Sequence, residues 1–397
     1  MKNNPKICYV AGPGQVIKAH HYWKNGIKYP NEFALTYSSQ VEQYCCDKEV
    51  RVLIISQNPK PDYIEDGNII IQNIAKPFHN PRGLLYLINQ FLYGINLMFR
   101  IIKFRSDVVL VNSGSTFYFM LAFLKLFSIK IIPVYHNLLW PKGHYPQKRL
   151  AKIILWLDGQ LLKYGTHAVI GVSLECSRQV SQISNGQPPP FYLLKPQYLK
   201  DEFEGVLPPS PPQEGAFNII FVGRIIEIKG IFSIIKIAIE LEKKMPGRIK
   251  WDICGDGKDL EQMKKMSSHL RLEGIIKFHG WTNSSQQKEI YKNAHLSIVP
   301  TKNNTPEGLA KTAIEAVLFK RPVILSSVVP ACEEIGDAAV IVEDNDINSY
   351  AKQITNLVED EGLYKEKVKA CTRSMQSYWD GKFGYYAVLN KILDEQS

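Results

Sequence analysis

Two glutamates, Glu307 and Glu315, stand eight residues apart in "PEGLAKTAIEA", on either side of a run that opens on Gly308 and then turns helical. Upstream, "FVGRIIEIKG" carries Arg224 and Lys229 on what reads as the loop leaving an apolar strand. Two cations at the carboxyl end of a strand suit a diphosphate, and Gly223 lets backbone approach a ligand closely. The free N–H groups of Gly308, Leu309 and Ala310 at a helix start would point towards an anion. At ~1.5 Å rise per residue, eight residues span up to ~12 Å, near the reach from a sugar ring across a diphosphate to a ribose. That spacing lets Glu307 accept hydrogen bonds from sugar hydroxyls and Glu315 from ribose hydroxyls. Read alone, the same pair is equally a helix-start charge and a solvated helix residue, and Arg224 a turn residue beside a surface ion pair.

Such residues need strands to hold them. In the first half "KICYVAG", "VRVLIIS", "NIIIQNI", "DVVLVNS", "KIIPVYHN" and "HAVIGVS" alternate with helical patterns, and continuous apolar strands separated by helices predict a parallel, doubly wound α/β sheet. Prolines then crowd "NGQPPPFYLLKPQ" and "VLPPSPPQEG", which read as an interdomain connection with one strand-like interruption. A second alternating series runs through "FNIIFVG", "KWDICG", "IIKFHG", "LSIVPT", "PVILSS" and "AAVIVE". Length and pattern together predict two Rossmann-like domains facing each other across a cleft: residues 1–205, residues 206–375, and a terminal helix over 376–397 packing back on the first domain. Ligands are expected at the carboxyl ends of the strands, between the domains.

The chain has 397 residues and a net charge of +10, all of it in the first half: residues 1–212 carry 23 Lys+Arg against 13 Asp+Glu, residues 213–397 carry 25 of each. Between residues 82 and 149 nine bases face one acid, Asp107. Such a field attracts an anionic membrane surface or a phosphorylated substrate; without a recognition module or aromatic platform, nucleic acid is not an expected partner. "LLYLINQFLYGINLMFRIIKFR" is apolar, but Asn89, Asn96, Arg100 and Lys103 trace one helical stripe, predicting a buried or membrane-lying amphipathic helix rather than a span. Seven cysteines without C-x-x-C or Cys/His spacing support neither zinc nor a disulfide framework. The amino terminus runs directly into a strand-like segment without a signal peptide, which predicts a cytoplasmic protein, peripheral on the inner face of the membrane if the basic half binds lipid.

The ordered set G-R-x-x-x-x-K-G at Gly223 to Gly230, "ICGDG", "FHGW", "YKNAHLSIVPT" and E-x7-E from Glu307 to Glu315 resembles the retaining family 4 glycosyltransferases of the GT-B fold. The resemblance is dense over roughly residues 217–345 and only architectural before them. It implies that Arg224 and Lys229 neutralise the diphosphate leaving group of a nucleotide-sugar donor, that Glu307 meets the donor sugar and Glu315 the ribose, and that the amides of Gly308, Leu309 and Ala310 face sugar and phosphate. The family often has an aromatic residue and a glycine where Leu309 and Ala310 stand. Trp281 and Thr282 fall where the base is contacted, His136 matches a histidine near the transferred sugar, and Gly12 and Gly14 match a glycine loop beside the donor phosphates, although the usual adjacent glycines are missing. The implied activity is metal-independent retaining transfer to a hydroxyl acceptor, with no cofactor beyond the donor substrate. A lipid-linked or polysaccharide intermediate is the acceptor that the basic, apolar first half suggests. A nucleotide-sugar epimerase on the same fold and a non-catalytic carbohydrate-binding subunit are the rival readings.

Overall fold

The computed structural model describes residues 5–79, 81–210 and 215–393. The apolar stretches of the first half form strands β1 (Ile7–Gly12), β2 (Val52–Ser56), β4 (Ile69–Asn73), β5 (Val108–Asn112), β6 (Lys130–Tyr135), β7 (Val169–Gly171) and the short β8 (Phe191–Leu193). With β3 (Asp62–Asp66) they make one eight-stranded sheet in the order β3-β4-β2-β1-β5-β6-β7-β8. The central strands are buried on both faces, as helices on both sides require, and Ile7 pairs with Val52 on one side and Val108 on the other. Sequence reading assigns no strand to "DYIED", because a polar edge strand has no apolar signature. β3 runs antiparallel to β4 through a two-residue Gly67-Asn68 turn, and its outer face is exposed.

The second half gives β9 (Phe217–Val222), β10 (Ile249–Cys254), β11 (Ile276–Gly280), β12 (Leu296–Val299), β13 (Val323–Ser326) and β14 (Ala339–Val342), all paired in parallel in the order β11-β10-β9-β12-β13-β14. This is the doubly wound order, and it reverses between β9 and β12; in the first sheet the reversal lies between β1 and β5. At such a reversal neighbouring loops diverge to opposite faces and leave a crevice at the strands' carboxyl ends.

Apolar and charged contacts both set the domains against each other. Phe319 of the second domain packs on Phe33 and Phe203 of the first, with ring centroids 5.1 and 4.6 Å apart, so apolar surface is continuous across the junction. At another point Glu333 accepts both guanidinium nitrogens of Arg178 at 2.9 and 2.6 Å, a forked geometry that fixes orientation as well as separation.

After the Glu361–Ser374 helix the chain returns to the first domain. Tyr198 donates its N–H to the Tyr378 carbonyl and Lys195 to that of Phe383, and the Tyr385–Leu393 helix packs on the Tyr37–Asp47 helix with Tyr385 edge-on to Tyr9. Residues 394–397 of the expected terminal helix, residues 211–214 of the proline-rich connection, residues 1–4 and Asn80 lie outside the described residues.

The Leu84–Lys103 helix forms, but its polar stripe points the other way from an ordinary surface helix. Asn89 is buried and Asn96 and Arg100 half-buried, while the apolar stripe is exposed. Asn89 satisfies both backbone groups of Phe78, accepting from its N–H at 2.9 Å and donating to its carbonyl at 3.2 Å; Arg100 donates to Gln72 of β4 at 2.7 Å.

Candidate active site

Arg224 and Lys229 are carried by the loop that leaves β9 at the strand reversal. The loop is tied on both sides: Gly223 donates to the Cys254 carbonyl at 3.0 Å, and the Asp259 carboxylate accepts the Glu227 N–H at 2.8 Å. Asp259 stands directly before the Leu260–His269 helix, makes no side-chain cap bond to it and spans to this loop instead. The loop ends on Gly230 at φ +76°, where an added Cβ would lie 1.9 Å from the Pro300 carbonyl oxygen, so β9 and β12 loops touch there through backbone alone. That approach delivers Lys229 to Glu307, and its Nζ pairs with Glu307 Oε2. Arg224 is exposed at the mouth and has no carboxylate partner among the described residues.

The segment after β12 passes through Glu307 and Gly308 to Ala310, which caps the Lys311–Leu318 helix with φ +67° and no side-chain cap bond. Ala313 gives its N–H to the Ala310 carbonyl at 3.0 Å, so among the described residues the Lys311 and Thr312 amides are the ones left to whatever lies in front of them. Gly308 is where the two domains come closest at the site: a Cβ there would stand 2.0 Å from the His136 carbonyl oxygen, and Leu138 donates its N–H to the Pro306 carbonyl at 3.3 Å.

His136 sits at the carboxyl end of β6, its N–H and that of Asn137 both given to Ser113 Oγ. The imidazole stacks on Tyr37, centroids 4.6 Å apart and planes 26° apart. Burial, with Lys311 adding a smaller repulsion, pushes its pKa down to about 3, so the ring is neutral at neutral pH. Its Nε2 is buried without a hydrogen-bond partner among the described residues.

Two cavities meet at this stacked pair. One, about 300 Å³, lies at the β9/β12 reversal and is lined by Gly223, Arg224, Lys229, Glu307, Leu309 and Ala310, with Thr301 behind them. The other, about 330 Å³, lies at the β1/β5 reversal and is lined by Gly12, Gly14, Glu32, Asn112 and Ser113. Tyr37 and His136 line both. Each is of ligand-binding size.

Four expected site residues are not part of either lining: Gly308, which is taken up by the domain contact, Glu315, Trp281 and Thr282. Glu315 is 7 % exposed, and the carboxylate is enclosed by Lys311, Glu32, Lys28 and Tyr198. Burial, partly offset by Lys311, pushes its pKa up to about 7. The correction to the ribose reading is steric: first-domain residues 28–36 cover this carboxylate, with Pro30 accepting from Ser284 Oγ at 2.9 Å and Glu32 from Lys311 Nζ at 2.7 Å. Trp281 is 59 % exposed and Thr282 is buried.

Sequence reasoning missed Tyr37, Ser113, Thr301 and Lys311. Lys311 directly follows the amide run and had a positional signal. The other three are brought in by strand ends and by a ring stack within the first domain that no local pattern announces.

The sequence model of the family described as "Glycosyl transferases group 1" matches residues 207–374. That span contains Arg224, Lys229, Glu307 and Glu315. The second domain is a group 1 glycosyltransferase domain. Among curated relatives, the capsular polysaccharide biosynthesis glycosyltransferase CapM of Staphylococcus aureus is 28 % identical over 149 residues, 37 % of this chain. The match spans 38 % of that relative's length, and the same share of two further curated glycosyltransferases. Over whole chains, sucrose-phosphate synthase of Thermosynechococcus elongatus superposes with a TM-score of 0.70 at 16 % identity, covering 99 % of both. HepE of Anabaena, solved in complex with UDP and glucose, superposes with a TM-score of 0.62 at 13 % identity, also covering 99 % of both. These structures share the GT-B architecture, in which the group 1 domain faces a second Rossmann-like domain. His136, Gly12 and Gly14 lie outside the matched span and join the group 1 residues only through the fold.

Proposed function

We propose that the protein is a retaining glycosyltransferase that moves a sugar from a nucleoside-diphosphate sugar to a hydroxyl acceptor. The observation that carries this reading is the convergence of Arg224, Lys229, Glu307 and uncapped helix amides on one cavity at the β9/β12 reversal. A cavity with two cations and free N–H groups fits a diphosphate; a carboxylate beside it fits sugar hydroxyls. The adjoining first-domain cavity, with Gly12 and Gly14 at its wall, takes the acceptor in this reading, and the Tyr37–His136 stack stands where donor sugar and acceptor meet.

In the reaction the bond from the anomeric carbon to the phosphate oxygen breaks and its electron pair stays on the departing diphosphate. The acceptor oxygen bonds to the same face of that carbon, and its proton passes to the departing phosphate oxygen. Arg224 and Lys229 offset the charge that develops there, which is the largest single contribution open to such a site. They supply the positive charge without a divalent ion, so turnover is expected to persist in EDTA. Neutral His136 can accept a hydrogen bond from a sugar hydroxyl through its unpartnered Nε2. Contact between Glu315 and a ribose requires the 28–36 segment to lift. UDP, as held by HepE, is the first nucleotide to test, and CapM supports a capsule or envelope polysaccharide acceptor.

The test is a thermal-shift screen of UDP-, GDP- and dTDP-sugars followed by assay of released nucleotide. Stabilisation by one class with slow nucleotide release is expected. Isomerisation of the sugar without release would replace the transferase with an epimerase.

A further inference from the structure

The Leu84–Lys103 helix turns its apolar face to solvent. Leu84, Ile88, Phe91, Ile95 and Phe99, at spacings of three and four, are all exposed, Phe99 to 65 %. The opposite face is seated in the domain: Tyr93, Leu97 and Ile101 are fully buried, Gln90 accepts from Lys76 Nζ, and a Cβ on Gly94 would collide with Thr116. This is the one described helix long and apolar enough to cross a bilayer. Its buried half belongs to the core and holds polar groups that need their partners. A helix so anchored can lie along a membrane but not cross it.

The exposure continues over its neighbours. The helix packs on the 118–127 segment, which packs on the Arg149–Tyr164 helix. The first neighbour exposes Phe123, Leu126 and Phe127, the second Leu150, Ile153 and Trp156. A contiguous apolar face this wide is uncommon on a solvent-facing domain and marks an interaction surface. Its charge selects the partner. Residues 82–164 contain eleven bases and two acids; Asp158 is buried and accepts the Phe119 N–H, and Asp107 accepts that of Lys6. Exposed Lys103, Lys125, Lys148, Arg149 and Lys152 lie on the same three elements. Apolar and aromatic side chains flanked by lysine and arginine complement the acyl boundary and phosphates of an anionic leaflet.

We propose that the face built by the Leu84–Lys103 helix, the 118–127 segment and the Arg149–Tyr164 helix is the surface by which the protein lies on an anionic bilayer. Lys76 ties this face to the first-domain cavity, because its Nζ bridges Gln90 of the helix and the carbonyl of Gly114, next to cavity-lining Ser113. An acceptor hydroxyl carried on a lipid would thus be presented beside that cavity; this last step, unlike the surface itself, rests on the transferase reading.

The experiment is flotation of the full chain with phosphatidylglycerol/phosphatidylcholine vesicles and with phosphatidylcholine alone, alongside sedimentation velocity without lipid. Flotation with the anionic vesicles is expected. The triple variant Phe91→Glu/Ile95→Glu/Phe99→Glu should lose at least tenfold in binding while keeping its melting temperature. Lys148→Glu/Arg149→Glu/Lys152→Glu should lose at least tenfold on anionic vesicles only. Nucleotide release from a donor sugar in water should be unchanged in both, which separates this surface from the catalytic reading. Failure to float, or variants that float like the parent, would overturn the proposal. So would a lipid-free dimer that the triple variant converts to monomer, since the face would then be covered by a second copy.

Discussion

Lys229 and Glu307 form an ion pair between two loops that leave different strands of the second domain, β9 and β12, on either side of its strand reversal. The pair neutralises Lys229 before any ligand arrives, whereas Arg224, five residues earlier on the same loop, stays exposed. In the proposed reaction a diphosphate entering this cavity would take over Lys229 and release Glu307 towards the sugar, the pair acting as a placeholder for the donor.

The proposed function gives Arg224 the role that appears as charge builds on the leaving group. Arg224→Ala is expected to lower turnover on the order of 100-fold while weakening donor binding only a few-fold. Initial rates over a range of donor concentrations separate the two effects. Equal losses in both would assign Arg224 to ground-state binding.

Glu315 gives a pH dependence of stability. Its carboxyl value is about 7 in the folded protein against an ordinary 4.5, so folding takes up a proton between those values. Its contribution is therefore most favourable below about pH 4.5, declines as pH rises towards 7, and is flat above. At ~1.4 kcal/mol per unit the decline is roughly 3–4 kcal/mol at most. Glu315→Gln, uncharged throughout, should be more stable than the parent at pH 8 and nearly equal to it at pH 5, as read by denaturant midpoints. A variant that is equally destabilised at both values would mean that the carboxylate is ionised and held by Lys311 and Lys28.

Ala310 holds the left-handed conformation at a helix start, with φ +67°. This conformation costs a residue with a Cβ about 1–2 kcal/mol, and glycine loses part of that gain to its freer unfolded chain. Ala310→Gly is expected to stabilise the protein by roughly 0.5–1 kcal/mol in thermal or chemical denaturation. A loss of stability would show that the methyl group's packing outweighs the backbone strain.

Gly308→Ala should act on the domain junction rather than on either core. The new Cβ has the His136 carbonyl oxygen in its way, and backbone on both sides leaves little room to yield. The second domain should fold normally, small-angle scattering should show a wider molecule, and turnover should fall at least tenfold because the cavity at the β9/β12 reversal loses the Tyr37–His136 wall that the first domain supplies. Full activity with unchanged scattering would mean that the domains do not need this contact.

The strands were legible because nearly all are apolar runs buried on both faces, and β3 was not, since "DYIED" is a polar edge held by its partner. Arg224, Lys229 and Glu307 were legible as a short ordered set on strand-end loops. The cover over Glu315 was not, because Lys28 and Glu32 come from the other domain and have no local pattern that points to Lys311 or Ser284. For the Leu84–Lys103 helix, periodicity separated two faces without saying which one the domain would bury. The inward choice follows from backbone groups at Phe78 and from Gln72 and Lys76, which need Asn89, Arg100 and Gln90 as partners.

The most direct measurement is a crystal structure of the full chain with bound UDP. We expect the diphosphate oxygens within hydrogen-bond distance of Arg224 and Lys229, with the Lys229–Glu307 pair broken and Glu307 turned to the sugar side. A diphosphate bound elsewhere, with that pair intact, would contradict the account.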